Sequence, residues 1–243
     1  MTTPPRTLPR LGFRALLRDR RGVAMLEFAL GLPLLLGVGL YATETANLAL
    51  TTMRINQIAQ NLADNASRVG DMNSDSIRQL REIDINDVLT ATRLQGDRIE
   101  LTTRGRITIS SLEQNSDGVQ YLHWQRCIGL KSGSDYDSNY DRTHGTMDRD
   151  DGIGTNWWNG GVRMPNGMGD QDPKVQSPVG SGVMYIEVNY EYRPIVGTAW
   201  LPGGSARIHA TAAFVVRDRR NFDQIYNPDP AAPRYYCDAY SAT

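Results

Sequence analysis

The chain has 243 residues, 40% hydrophobic and 22% charged, which supplies one membrane segment and one globular domain of ordinary size. The formal net charge of −1 hides an asymmetry, because residues 1–22 carry six arginines and one aspartate, a net of +5, leaving −6 on the remainder. An acidic body with no basic patch interleaved with aromatics speaks against a nucleic-acid partner, and none is expected.

The single long apolar run covers residues 23–40, eighteen positions with Glu27 as the only charge. At ~1.5 Å per residue it reaches ~27 Å, close to the hydrocarbon thickness of a bilayer. The run predicts a transmembrane helix over residues 23–42 behind a cytoplasmic leader, residues 1–22. The positive-inside rule holds the arginines in the cytoplasm and sends everything after the helix across. Glu27 then needs an explanation, since a carboxylate in such a helix costs about 2.5–3.5 kcal/mol on insertion scales and less near the interface. Cutting after Gly22 would place the new amino group of Val23 about one helical turn away. In a packed bundle, that amine on one subunit would neutralise Glu27 of the next. The alternative puts Glu27 among the headgroups, solvated and paired with Arg20 or Arg21.

Gly22-Val-Ala-Met-Leu-Glu27-Phe28 resembles the prepilin peptidase signature, a glycine, four residues, then glutamate and an aromatic. The longer stretch from Arg18, running through Glu27-Phe28-Ala29 into Leu32-Pro33-Leu34-Leu35-Leu36, is similar to the opening of TadE-like proteins. These are pseudopilins of tight-adherence (Tad) pilus systems, and Glu44 stands where the family has a second acidic residue. The similarity covers roughly residues 18–69; Tyr190-Glu-Tyr-Arg-Pro194 and Ala210-Thr-Ala-Ala213 resemble the family's C-terminal strands more loosely.

The resemblance implies a pseudopilin or minor pilin of Tad (Flp-type) pilus assembly, single-pass in the bacterial inner membrane, with a cytoplasmic N-terminus and a periplasmic domain. Gly22 and Val23 would be the processing residues, and Glu27 with Phe28 the subunit-pairing residues. Partners would be other pilins or pseudopilins, inner-membrane Tad assembly components, prepilin peptidase and membrane lipid. A membrane-tethered periplasmic or surface binding or adhesion protein, outside any filament, is the alternative. A secretory signal peptide competes for the same residues, with Gly39-Leu-Tyr-Ala42 offering small side chains for cleavage. Against it, the run exceeds the usual ~7–15 residues of an h-region, and neither Glu27 nor Pro33 belongs in one. A mature terminus at Val23 marks prepilin processing, at Thr43 signal peptidase, and at Met1 or Thr2 an uncut anchor.

Beyond the membrane the period stays helical through Leu48, Ile55, Ile58, Leu62 and Val69, predicting one helix over residues 23–68 that Pro33 should kink or loosen. A second helix is predicted over residues 76–93 with Asp75 as its cap, so that residues 43–95 form amphipathic helices. From Arg98 the period becomes two: Ile99, Leu101, Thr103, Ile107 and Ile109 alternate with polar neighbours, predicting a strand or a hairpin broken at Gly105. Asn115-Ser-Asp-Gly118 reads as a turn. Further strands are predicted over residues 119–128, 184–192 and 206–216, with residues 194–204 connecting the last two. Strands following helices predict an α+β, pilin-like domain over residues 96–220, an antiparallel sheet carrying the long helix, with a tail over residues 221–243.

Residues 131–182 hold ten of the 23 glycines and eight aspartates but no glutamate, which predicts a long surface insertion. Asp135, Asp137, Asn139 and Asp141 match the opening ligand spacing of a calcium loop, but Tyr140 and Thr146 occupy positions where an EF-hand needs glycine and glutamate. A solvated acidic loop is the alternative, and no cofactor is expected beyond this calcium candidate. Trp157, Trp158 and Trp200 read either as contact surface or as ordinary loop burial. Cys127 and Cys237 are a pair that an oxidising periplasm could join. His123, His144 and His209 lie far apart without metalloprotease, nucleophile-elbow or phosphate-loop spacing, so a non-enzyme is expected, with His123 and His209 as wet-face or hydrogen-bonded strand residues.

Overall fold

The computed structural model describes residues 22–140, 161–198 and 207–242. Helix α1 (Val23–Arg68) runs for 46 residues, continuous through Pro33. It ends where Val69 turns to extended backbone. Its two halves differ completely. Buried side chains begin only at Glu44 and continue as Ile55, Ile58, Ala59, Leu62, Ala63, Ala66 and Ser67, a stripe at helical spacing. The alanines in that stripe let the helix approach the sheet closely.

After α1 the chain forms a short antiparallel pair, β1 (Asp71–Met72) and β2 (Arg78–Arg81), before helix α2 (Glu82–Gly96). The helix predicted from residue 76 therefore starts at Glu82. The Asn73 side chain accepts the N–H groups of Asp75 and Ile77, and Ser76 is left-handed at φ 58°, so this stretch is a tight turn. Asp75 caps nothing; the Asp84 carboxylate takes the Arg81 N–H at 3.0 Å instead. Residues 98–104 are likewise not a strand. A 3-10 turn (Asp97–Ile99), left-handed Glu100 and the single helical turn α3 (Leu101–Arg104) reverse the chain. That reversal drops Leu101 against Gly96, where a Cβ would sit 2.5 Å from the leucine Cβ. The alternation of Ile99, Leu101 and Thr103 was a chance match to a strand pattern.

The main sheet has the order β5-β4-β3-β6-β7, antiparallel throughout. Its strands are β3 (Gly105–Gln114), β4 (Gln120–Ile128), β5 (Val162–Arg163), β6 (Gly182–Glu191) and β7 (Arg207–Val215). The Asn115–Gly118 turn joins β3 to β4, with Gly118 N–H donating to the Asn115 carbonyl at 3.1 Å. Strand β8 (Arg220–Tyr226) pairs in parallel with β2, so part of the predicted tail belongs to a second, three-stranded sheet.

Both faces of the main sheet are covered. On one, Ile107, Ile109, Ile186, Val188, Ile208 and Ala210 pack with α1 and with Ile85, Val88 and Leu89 of α2. On the other, Leu112, Leu122, Val183 and Tyr185 pack with Met164 and Met168 of the insertion. The insertion is thus not purely surface: Met168 is fully buried because the second face of the sheet is itself apolar and needs a lid. The result is a mixed helix and sheet fold, compatible with α+β.

Candidate functional site

The N-terminal half of α1 is long and apolar enough to cross a bilayer, and none of its apolar window is buried. Met25, Phe28, Leu30, Leu34 and Leu35 are all more than 60% exposed. An apolar surface of that extent requires lipid or protein to cover it. Gly22 is the N-cap, and its carbonyl accepts the first helical bond from Leu26 N–H at 3.1 Å. Gly22 and Val23 are therefore exposed at the very start of the helix, and Glu27 and Phe28 are exposed one turn later. Among the described residues Glu27 has no hydrogen-bond or ion-pair partner. At the other end of the run, Thr43 and Thr45 return their hydroxyls to the carbonyls of Gly39 and Tyr41, each at 2.9 Å, which satisfies them within the helix.

Glu44 follows directly, and it is 1% exposed. Its carboxylate accepts the Tyr192 hydroxyl at 2.5 Å and the N–H groups of Ile195 at 2.8 Å and Val196 at 2.7 Å. Asn47 Nδ2 donates to the Tyr192 oxygen at 2.6 Å. The Tyr192 hydroxyl, then the Val196 and Ile195 amides, hold the Glu44 carboxyl below the usual carboxylate range despite its desolvation. Burial, reinforced by the charge and hydrogen bond of Glu44, pushes the Tyr192 phenol up to about 12. This latch pins the loop after β6 to the helix at the exit of its apolar half. Sequence reasoning singled out Glu44 only as a second acidic residue, and no local signal links it to a tyrosine 148 positions away.

The C-terminal segment is stapled to β4. Cys127 and Cys237 form the disulfide, with Cα atoms 4.8 Å apart. Arg106, 1% exposed on β3, donates to the carbonyls of Gly129 (2.9 Å), Cys237 (2.6 Å) and Ala239 (3.1 Å), and lies 4.3 Å from the Tyr240 ring centre. Arg126 of β4 makes a two-pronged pair with Glu82 at the start of α2; both side chains are wholly buried, and Tyr236 covers the guanidinium at 5.1 Å. Neither arginine drew notice in the sequence, where each reads as the polar member of a strand.

The calcium candidates serve other ends. The Asp137 carboxylate accepts the Gly133 N–H at 2.7 Å and the Tyr240 hydroxyl at 3.3 Å, and stands 3.7 Å from Arg106. Asp135 is exposed and uses its carbonyl to receive Arg207. Asp141 lies outside the described residues, as do His144, Trp157, Trp158 and Trp200. Among the described residues no group of three or more His, Cys, Asp or Glu is placed to hold a metal.

Asn139 instead helps line a polar cleft of about 130 Å³ on the sheet face opposite α1, with Asp170, Glu187, Asn189, Arg207 and His209. His209 sits between Asn189 Oδ1 (2.6 Å) and Asp170 Oδ2 (2.7 Å), and Ser138 donates its hydroxyl to Glu187 at 2.6 Å. The serine hydroxyl is thus directed at a carboxylate, and both ring nitrogens of the histidine are engaged. His123 occupies the position skipped where β3 and β4 shift register, buried and 2.8 Å from Glu113. Both strand histidines are hydrogen-bonded, and His123 is not on a wet face.

Compared with known proteins, the chain matches no family model, no curated protein and no solved structure.

Proposed function

We propose that this protein is a TadE-like pseudopilin or minor pilin, anchored in the bacterial inner membrane with its N-terminus in the cytoplasm and its domain in the periplasm, and that it takes part in Tad pilus assembly. The observation that carries the reading is α1 itself: one unbroken helix with a wholly bare apolar half and a second half folded onto an antiparallel sheet. A subunit that must pass from lipid into a helical bundle needs that division, because the bare half can exchange lipid for neighbouring helices without disturbing the domain core. Glu27, exposed one turn from Val23, is placed to receive a neighbour's free amine once the chain is cut after Gly22. Phe28 beside it adds apolar contact area.

Replacement of Glu27 by alanine tests the reading. Loss of piliation with stable, membrane-localised protein supports assembly. Unchanged piliation supports a membrane-tethered binding protein instead, a reading favoured by the polar cleft beneath the insertion. Sequencing of the mature terminus tests processing independently, with Val23 as the expected first residue.

A further inference from the structure

The loop after β6 is held at a defined distance from the membrane helix. Glu44, to which Ile195 and Val196 donate their N–H groups, lies four residues past Leu40, or ~6 Å along the axis beyond the end of the apolar run. Headgroups occupy roughly 5–8 Å on each side of the hydrocarbon. The tie therefore falls within the headgroup layer of any bilayer that residues 23–40 span. At that level Ile195 is 68% exposed.

A recess of about 240 Å³ climbs from this loop along α1, lined by Arg193 and Tyr192, by Asn47 and Thr51, ~10 and ~16 Å beyond Leu40, and by Arg98 and Arg104 at that greater height. Its one carboxylate, Glu100, is engaged by Arg104 at 2.8 Å. Among the described residues Arg98 and Arg193 have no ion-pair partner, and both are exposed. Arg193 is in the same loop as Ile195, while the nearest buried anion, Glu44, is screened by the loop amides and Tyr192. Arginine on an interfacial loop suits the phosphate of an anionic lipid.

We propose that this end of the domain is a second lipid contact, in which Ile195 enters the headgroup–acyl boundary of an anionic bilayer, Arg193 of the same loop binds lipid phosphate, and Glu44 sets the depth. The inference rests on the membrane-anchor part of the proposed function and not on filament assembly. It fixes the orientation of the sheet over the membrane.

The full-length protein has no free cysteine, so Ile195→Cys and, separately, Leu34→Cys can each carry one environment-sensitive fluorophore. Each labelled protein is placed in nanodiscs, one copy per disc, containing brominated lipid and either phosphatidylglycerol mixed with phosphatidylcholine or phosphatidylcholine alone. The expected result is quenching at position 34 in both lipids. At position 195, quenching is expected to be several-fold stronger with phosphatidylglycerol and to fall to the phosphatidylcholine level in the Arg193→Gln variant. Quenching at 34 without quenching at 195 overturns the lipid contact and leaves the anchor standing. Quenching at neither overturns both. Equal quenching at 195 in the two lipids overturns the anionic-phosphate assignment, and quenching at 195 seen only with several copies per disc assigns the patch to a neighbouring subunit instead.

Discussion

Removing the Glu44 carboxylate should open one loop and leave the rest of the domain folded. In Glu44→Ala, two backbone amides and the Tyr192 hydroxyl lose their acceptor at once. An unsatisfied buried donor costs about 1–3 kcal/mol, and Ile195 and Val196 are partly wet, so water recovers some of that; about 3 kcal/mol in all is a fair total. At 1.36 kcal/mol per decade this is roughly a 150-fold rise in the open population. Glu44→Gln keeps an oxygen for the two amides and loses the charge, for about 1–2 kcal/mol, since charge-assisted bonds are about twice as strong as neutral ones.

The assay is amide hydrogen exchange on the full-length protein, comparing Ile195 and Val196 with Val188 in the middle of β6. Protection should fall at Ile195 and Val196 alone, more in the alanine than in the glutamine variant. The pH dependence has a definite sign. The folded-state pKa of Glu44 is depressed, so its contribution is complete above the ordinary carboxylate value of about 4.3 and fades as pH falls through the lower folded value. The wild-type latch should therefore loosen only in that acid range, and the glutamine variant should show no such acid limb. Unchanged protection of Ile195 and Val196 in Glu44→Ala, or an equal loss at Val188, would refute the reasoning.

Three further outcomes are expected. Glu82→Ala strands a fully buried Arg126 charge and should cost about 3–5 kcal/mol in denaturant unfolding, whereas Glu82→Leu with Arg126→Met should be close to neutral. Replacing Cys127 and Cys237 by serine opens a loop of 110 residues, worth about 5 kcal/mol at most on chain-entropy grounds; urea midpoints with and without reductant should converge in the variant and differ in the wild type. Leu62→Ala should destabilise by about 2–5 kcal/mol because that side chain is 1% exposed, while Leu34→Ala should leave the unfolding of the domain within about 0.5 kcal/mol of wild type.

What could be read from the sequence follows the range of the forces involved. Helix α1 was legible end to end because an apolar run passes without a break into a helical period, and β6 and β7 were legible because each alternates over a full strand length. The failures have long-range causes. Residues 76–81 would read as helix until Arg219 and β8, some 140 positions later, draw β2 into parallel pairing. Residues 98–104 alternate, but Leu101 is claimed by the core beneath α2. Met164 and Met168 sit in a Gly- and Asp-rich stretch whose composition hides that the second face of the sheet needs covering. Of the site, Gly22, Val23, Glu27, Phe28 and the cysteines stand out locally. Glu44, Arg106 and Arg126 acquire their roles only from partners far away in the chain.

The burial pattern of α1 also separates two kinds of effect. The buried core contribution of the helix comes from Ile55 to Ser67, with Leu48 packed at its edge, and the stretch before it is tied down by Glu44 and by Asn47, which donates to Tyr192. Substitutions in residues 23–40 should therefore change where the protein sits and what it assembles with, at nearly constant domain stability. Substitutions in residues 55–67 should do the reverse. Glu44 lies at the boundary, and its loss should do something neither group does: free the loop after β6 from the helix while the core and the apolar half of α1 stay intact. A load applied along the apolar half passes up an unbroken helix to the packed side chains of Ile55 to Ser67, so the latch governs the loop after β6 and not the seating of the domain on the helix.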